Sequence, residues 1–162
     1  MKNEFVINQF AIARNRLLSA LENVTEEAAS QKPEGFNNNI HWHTGHILLV
    51  TEKFFFKVPT GASELPDLYD EYFANGTKPE DWKSEPPPLQ EIIERLTSQA
   101  KRIKEIGDAN LERELGSPLH FKSGLKMDTA GELANMAIYH EGVHTGYIYA
   151  MKRLVTKQTT NA

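Results

Sequence analysis

Apolar residues recur every three or four positions along four long segments of the chain, which is the spacing of an amphipathic helix. These segments predict helices over residues 4–24, 39–57, 89–106 and 129–157. Arg14 falls outside the apolar stripe of the first helix, which consists of Val6, Phe10, Ala13, Leu17 and Leu21. Because each helix must bury its stripe against its neighbours, we predict an all-α chain that forms a four-helix bundle, one domain over residues 1–162.

Capping signals mark several of the predicted helix ends. Asn39 is a good N-cap for the second helix, and Thr129 with Glu132 spells a capping box before the fourth. Thr25, followed by two glutamates, predicts a short further turn of helix. Gly107 is well placed as the C′ residue that ends the third helix.

The segment between the second and third predicted helices, residues 60–88, is long and rich in proline and aromatic residues. Its aromatics suit either a pocket wall or a satellite core, and they are Tyr69, Tyr72, Phe73 and Trp82. A connection of this length is able to span the bundle, which would make helices two and three parallel. Periodicity alone does not decide this. Residues 108–127 are also irregular and allow a short hairpin.

Charge and composition exclude several classes of protein. The 162 residues carry 18 basic and 22 acidic side chains, a net charge of −4, which argues against a nucleic-acid-binding protein. The longest aliphatic run, Ile47 to Val50, is too short to cross a bilayer, and the first residues lack an apolar secretory core. The chain has no cysteine, so it forms no disulfide and supplies no thiol nucleophile or thiolate metal ligand of its own. We expect a cytoplasmic protein with no nucleic-acid or membrane partner.

The six histidines carry the clearest chemical signal. His140 and His144 are four residues apart on the fourth helix, so both imidazoles are able to converge on one metal ion. The third ligand must come from earlier in the chain, where His46 is the best candidate and His43 is able to compete or join. Two further histidines are interpreted as exposed surface residues, His41 and His120.

The string from His140 to His144 also matches the His-Glu-x-x-His pattern of zinc metalloproteases, in which the glutamate is the general base. No His, Glu or Asp follows His144, and the chain offers no substrate-binding sheet, so a protease is kept only as a minor alternative. Glu141 is the candidate catalytic residue, as a base or as an acceptor for a ligand N–H, against the alternative of a solvated carboxylate. Glu52 is interpreted as solvated.

Two motifs resemble those of the DinB/YfiT-like superfamily. Trp-x-x-Gly-His begins at Trp42, and His-x-x-x-His-x-Gly begins at His140. The resemblance implies a four-helix bundle with up-down-down-up topology, often a homodimer, in which His46, His140 and His144 bind a divalent metal. Many relatives continue the second motif as His-Arg-Gly-Gln, whereas this chain reads His144-Thr-Gly-Tyr147, a departure that leaves all three ligand positions intact.

The resemblance implies thiol S-transferase-like or hydrolase-like chemistry on a small molecule, in one version with a low-molecular-weight thiol as cosubstrate. Imidazole ligands suit zinc and nickel equally, so the native metal is left open. The alternatives are a non-catalytic metal-binding protein and a helical association module. Phe54-Phe55-Phe56 lends weak local support to the expected homodimer, because three consecutive aromatics on a helix cannot all face one core.

Overall fold

The structure is a computed structural model that describes residues 3–160, with side chains described for residues 4–155. Its helices are α1 (Asn3–Leu21), α2 (Glu26–Ser30), α3 (Ile40–Glu52), α4 (Val58–Thr60), α5 (Leu68–Phe73), α6 (Leu89–Lys104), α7 (Asp108–Leu111) and α8 (Ala130–Thr160). A π-helical turn, Lys53–Lys57, joins α3 to α4, and a 3₁₀ turn covers Pro79–Asp81. Two strands, β1 (Glu114–His120) and β2 (Lys126–Thr129), pair antiparallel.

The four long helices α1, α3, α6 and α8 form the bundle, which confirms the predicted all-α fold. Helix α8 packs against both α1 and α3, and α6 also packs against both. Most of the buried residues between them are aliphatic or aromatic, so burial of apolar surface stabilises the bundle, and a smaller group of buried polar side chains is described below. Among the described residues, none of the helices combines the length and apolarity that crossing a bilayer requires.

Helices α3 and α6 run in the same direction. At the start of α3, the side chain of His41 bonds to the carbonyl of Pro87, just before α6 begins. At the far end of α3, Glu52 pairs with Arg102 near the end of α6. The connection over residues 61–88 therefore returns along the length of the bundle.

Helices α1 and α8 also run in the same direction. Arg14 pairs with Glu141. Further along both helices, about two turns on in α1 and about three turns on in α8, Lys152 donates a hydrogen bond to the carbonyl of Ala20. Helix α3 runs opposite to α8, as the histidine contacts described below show. The two outer helices of the chain order, α1 and α8, thus share one direction, and α3 and α6 share the other.

The predicted N-caps of three helices are confirmed. The side chain of Asn39 accepts a hydrogen bond from the backbone N–H of Trp42 at 2.8 Å, and Thr25 caps α2. Thr129 and Glu132 satisfy each other's backbone N–H groups before α8. The prediction for Gly107 is wrong, because α6 ends at Lys104 and Gly107 instead precedes α7.

The bounds of two predicted helices also differ from the structure. The first helix ends at Leu21 rather than at residue 24, because Asn23 adopts a left-handed conformation with φ of 60°. The second changes to π-helical geometry at Lys53, which no periodicity in the sequence indicates. A π-turn adds one residue to a helical turn and rotates the residues that follow around the axis.

The long connection packs its aromatic residues into the core. Tyr69 and Phe73 are fully buried in the main apolar cluster, and Tyr72 and Trp82 pack half-buried against it. The ring of Phe73 occupies the space where a side chain at Gly45 would lie. The missing side chain at Gly45 therefore lets the connection pack closely against α3.

The three consecutive phenylalanines are covered within the chain itself. Phe55 is buried against Phe10 with ring centroids 5.2 Å apart, and Phe54 packs edge-on against Phe121 of the β-hairpin. The guanidinium of Arg102 lies over Phe56, 3.9 Å from the ring centroid. These rings therefore give no support to the expected homodimer.

Candidate metal centre

Helices α3 and α8 run antiparallel and bring three histidines together where they cross. His46 Nε2 lies 3.1 Å from His140 Nε2, and the rings of His140 and His144 have centroids 4.3 Å apart. One nitrogen of each of the three lies within 4.8 Å of the others. Imidazole nitrogens bind zinc at about 2.0–2.1 Å, so small side-chain movements suffice for all three to reach one ion.

The three imidazoles are neutral at physiological pH. Burial lowers the pKa of all of them, to about 3 for His140 and to about 4 for His144, from an ordinary value of 6.5. Neighbouring imidazoles lower the pKa of His140 and His144 further, since two adjacent imidazolium cations repel each other. Neutral imidazole is the form that binds metal ions, so the site is ready to accept a cation without releasing protons.

A backbone carbonyl fixes the orientation of His46. His46 Nδ1 lies 2.6 Å from the carbonyl oxygen of Phe73 and donates a proton to it, which leaves the lone pair on Nε2 facing His140. The ring also stacks on the indole of Trp42, with centroids 4.4 Å apart. An N–H bonded to a carbonyl on the far side of the ring is the usual support for a metal-binding histidine, so this geometry fits a metal site.

His43 supports His144 from the first turn of α3. The ring of His43 is buried, and its Nδ1 lies 2.7 Å from Nδ1 of His144, so one of these nitrogens donates and the other accepts. When His144 binds a metal through Nε2, its proton is on Nδ1 and His43 is the acceptor. The structure thus places His43 behind a candidate ligand and outside the group of three.

Glu141 is buried in an ion pair with Arg14. Both carboxylate oxygens accept hydrogen bonds from the guanidinium, at 2.8 and 3.0 Å, and neither side chain is exposed to solvent. The interpretation as a solvated carboxylate is wrong. In a metalloprotease this glutamate would face the metal-bound water, so the engagement of both oxygens also argues against the protease alternative.

A buried polar network extends from this ion pair across the bundle. Arg14 also bonds to the side chain of Gln99, and Gln99 bonds to Glu52, whose carboxylate pairs with Arg102. Each of the four long helices contributes a residue. The expectation that Glu52 is solvated is wrong, because the side chain is buried and bonded within this network.

The remaining two histidines lie outside the group of three. His120 is exposed on β1, as expected. The expectation of an exposed His41 is wrong: it is only 3% exposed, and burial lowers the pKa of its imidazole. The connection covers it, with His41 Nε2 lying 2.8 Å from the carbonyl oxygen of Pro87 and the ring packed against Phe73 and Trp82.

The fold and the site together define a four-helix-bundle protein with a candidate metal centre made of three histidines from two helices. The family model described as the DinB superfamily matches residues 9–148, and the chain belongs to this superfamily. A search of curated proteins finds no match.

The fold is also similar to a solved structure described as a conserved protein from Enterococcus faecalis. The two share 15% sequence identity with a TM-score of 0.63, and the similarity covers 97% of this chain and 99% of that chain. At this identity the match concerns the fold alone.

Proposed function

We propose that the protein is a divalent-metal-dependent enzyme that acts on a small molecule, with zinc or nickel bound by His46, His140 and His144. The observation that supports this most directly is the convergence of three neutral imidazoles, of which His46 is buried and oriented by the carbonyl of Phe73, and His140 and His144 are partly buried. A metal ion bound by three protein ligands activates a water molecule or a thiol at neutral pH. Membership of the DinB superfamily agrees with a metal-binding protein.

In this proposal, different residues bind the ion, orient its ligands and stabilise the surrounding helix. The three imidazoles hold the ion, and the Phe73 carbonyl and His43 fix the rings of His46 and His144. Glu141 is assigned to the support of α8, because Arg14 engages both of its oxygens. The proposed reaction is either a group transfer or a hydrolysis. If it is a transfer, it is thiol S-transferase-like and uses a low-molecular-weight thiol as cosubstrate. A non-catalytic metal-binding protein is the alternative.

Metal analysis of protein purified without a histidine tag tests the centre. We expect close to one zinc or nickel ion per chain after reconstitution, and loss of most of it in His46→Ala and His140→Ala. His120→Ala is the matched control, because this histidine is exposed on the hairpin. Wild-type protein that binds no ion after reconstitution, and whose stability ignores added zinc and nickel, would refute both the enzyme and the metal-binding alternative.

A turnover assay separates an enzyme from a passive metal-binding protein. Conjugation of several thiols to an electrophile, and hydrolysis of small esters and amides, are measured with metal-loaded protein. We expect one of these reactions to depend on both the metal and His144. A fully loaded protein with no reaction above that of free metal would favour the non-catalytic alternative.

The chain is also proposed to form a homodimer through the outer face of α8. Tyr139, Val143 and Tyr147 follow one another at four-residue steps and are 69%, 41% and 47% exposed, so they form an apolar stripe on this helix. Sedimentation at micromolar concentration is expected to show a dimer that Val143→Asp dissociates. A wild-type monomer under these conditions would refute the dimer without affecting the metal centre.

A further inference from the structure

The indole of Trp42 covers one face of the imidazole of His46. The two residues are one helical turn apart on α3, and their rings stack with centroids 4.4 Å apart and planes 13° apart. Trp42 is itself packed in the main apolar cluster and is only 4% exposed. Packing of this kind restricts the rotation of a metal-binding side chain. The direction in which His46 presents its nitrogens therefore depends on where the indole lies.

Thr77 of the long connection holds the indole at its N–H group. Nε1 of Trp42 donates a hydrogen bond to Oγ1 of Thr77 at 2.8 Å. Indole has this one N–H and no acceptor, so the bond fixes the direction in which the ring points. Trp42 is buried and Thr77 is half-buried, so water competes little for the bond.

The hydroxyl of Thr77 is also bonded to the backbone segment that carries the acceptor of His46. Its oxygen lies 2.8 Å from the carbonyl oxygens of both Tyr72 and Ala74, and its single proton bonds to one of them. These two residues flank Phe73, whose carbonyl accepts the proton on Nδ1 of His46. One hydroxyl therefore joins the indole that packs on the imidazole to the segment that orients the same imidazole.

A tight turn directly after α5 brings Thr77 to this place. The backbone N–H of Thr77 donates to the carbonyl of Ala74, which closes a turn over Asn75 and Gly76. Gly76 has a φ of 91°, a left-handed conformation that glycine adopts without strain. Because the turn reverses the chain, the hydroxyl of Thr77 lies against the carbonyls of the residues that precede the turn.

We propose that Thr77 is a positioning residue of the metal centre, which orients the imidazole of His46 by anchoring the indole of Trp42 to the turn after α5. Thr77 acts through these residues and does not bind the ion. The proposal deepens the proposed function, and it rests on that function for the presence of a metal ion but not for the orientation of the rings.

Zinc affinity of the full-length protein, measured by competition with a chelating dye, tests this role. Thr77→Val keeps the shape of the side chain but removes the hydroxyl, and we expect it to weaken zinc binding by about ten-fold, the lower end of the range for groups that orient a metal ligand. Thr77→Ser keeps the hydroxyl and should recover most of the affinity. Thr77→Ala replaces the valine variant if that variant does not fold. Thr97→Val is the matched control, because the hydroxyl of Thr97 also bonds to a backbone carbonyl but lies exposed on α6, and it should bind zinc like the wild type.

A double-mutant cycle with Trp42→Phe shows whether Thr77 acts through the indole. Phenylalanine keeps an aromatic ring next to His46 but has no N–H, so this variant loses the same hydrogen bond. Once the hydroxyl of Thr77 is absent, the indole N–H has no partner left to lose. The loss of zinc affinity in the double variant should therefore be smaller than the two single losses combined. Losses that combine in full would overturn the proposal.

NMR of the metal-free protein measures the orientation of His46 independently of zinc. The proton on Nδ1 of His46 and the indole N–H of Trp42 are both hydrogen-bonded and shielded, so they should exchange slowly with solvent. We expect Thr77→Val to speed up both exchanges and Thr77→Ser to leave them slow.

Wild-type zinc affinity and wild-type exchange in Thr77→Val would overturn the proposal and leave the metal centre intact. A wild-type protein that binds no zinc would refute the metal centre. Faster exchange of the His46 proton in Thr77→Val would then still support the assignment of Thr77 as the residue that orients this imidazole.

Discussion

The ring of Phe73 occupies the volume in which a side chain at Gly45 would stand, and a Cβ added there would overlap three ring carbons. Gly45→Ala is therefore expected to push Phe73 aside and to lower the free energy of unfolding by about 1–3 kcal/mol, the usual cost of overpacking a core. Because the carbonyl of Phe73 holds His46, we also expect weaker zinc binding by about ten-fold. Urea denaturation and a competition titration with a chelating dye measure the two effects.

Gly142→Ala is the matched control for this substitution. Gly142 lies on α8 between His140 and His144, and a Cβ there would meet open space. We expect this variant to gain about 0.5–1 kcal/mol of stability, as alanine normally does over glycine inside a helix, with unchanged zinc binding. If Gly45→Ala raised the free energy of unfolding as much as Gly142→Ala does, the tight contact between Gly45 and Phe73 would be contradicted.

His43→Ala tests the support of His144. Loss of the partner at Nδ1 leaves the ring of His144 free to rotate, so we expect zinc to bind about ten- to a hundred-fold more weakly. His43→Gln retains an acceptor and should recover part of the affinity, which loss of packing alone would not explain. Zinc affinity in His43→Ala equal to that of the wild type would show that the contact has no role in metal binding.

Glu141→Gln tests whether this residue supports the fold or acts as a base. Removing the charge leaves Arg14 buried without its anion, so the free energy of unfolding should fall by about 3–5 kcal/mol. Glu112→Gln, on an exposed residue, should leave stability unchanged. Turnover per bound zinc is expected to stay within a few-fold of the wild type. A loss of about a hundred-fold or more in folded, zinc-loaded protein would instead establish a general base.

The stability of the metal-free protein should depend on pH through the buried histidines. The pKa values of His43 and His140 are about 3 in the folded protein, that of His144 is about 4, and the ordinary value is 6.5. Below pH 6.5 the unfolded chain binds protons that the folded chain does not, so the free energy of unfolding falls as the pH is lowered towards 4. Above about pH 7.5, where the histidines of the unfolded chain are also deprotonated, these residues contribute no slope.

Urea denaturation at several pH values between 4 and 8, in the presence of a chelator that removes metal ions, measures how the free energy of unfolding depends on pH. Carboxylates also titrate at the acid end, so the comparison is with a His140→Leu variant, whose stability should fall less steeply between pH 6.5 and pH 5. Identical slopes for the two proteins would contradict the low pKa of His140.

The long helices follow from the spacing of apolar residues, because each buries one continuous stripe. The spacing of His140 and His144 likewise places two imidazoles on one side of α8, and the structure brings His46 to them. Periodicity misjudged Arg14, which is buried on α1 although it is charged. Its position four residues after Phe10 was a signal that it faces inward, but the partner that makes burial tolerable, Glu141, is remote in sequence.

The long connection accounts for most of what the sequence did not reveal. His41 is buried because the chain folds back over it, and the acceptor on Phe73 for His46 is a backbone atom with no signature in the side chains. Irregular segments have no repeating pattern of apolar residues, so the path of the backbone cannot be deduced from their sequence. The contacts that they make are therefore visible only in three dimensions.

The atom that aligns the imidazole of His46 is a main-chain oxygen, and no amino-acid replacement at position 73 deletes it, short of altering the path of the chain. Replacement of Phe73 would remove the ring that packs beside Gly45 but would leave the acceptor of His46 in the backbone. Proteolytic cleavage between residues 61 and 88, in contrast, would free the carbonyl oxygen of Phe73 to move away and would leave the imidazole of His46 without its acceptor. We therefore expect protein cleaved in this stretch to lose its metal ion before intact protein does, although all three histidines are still present.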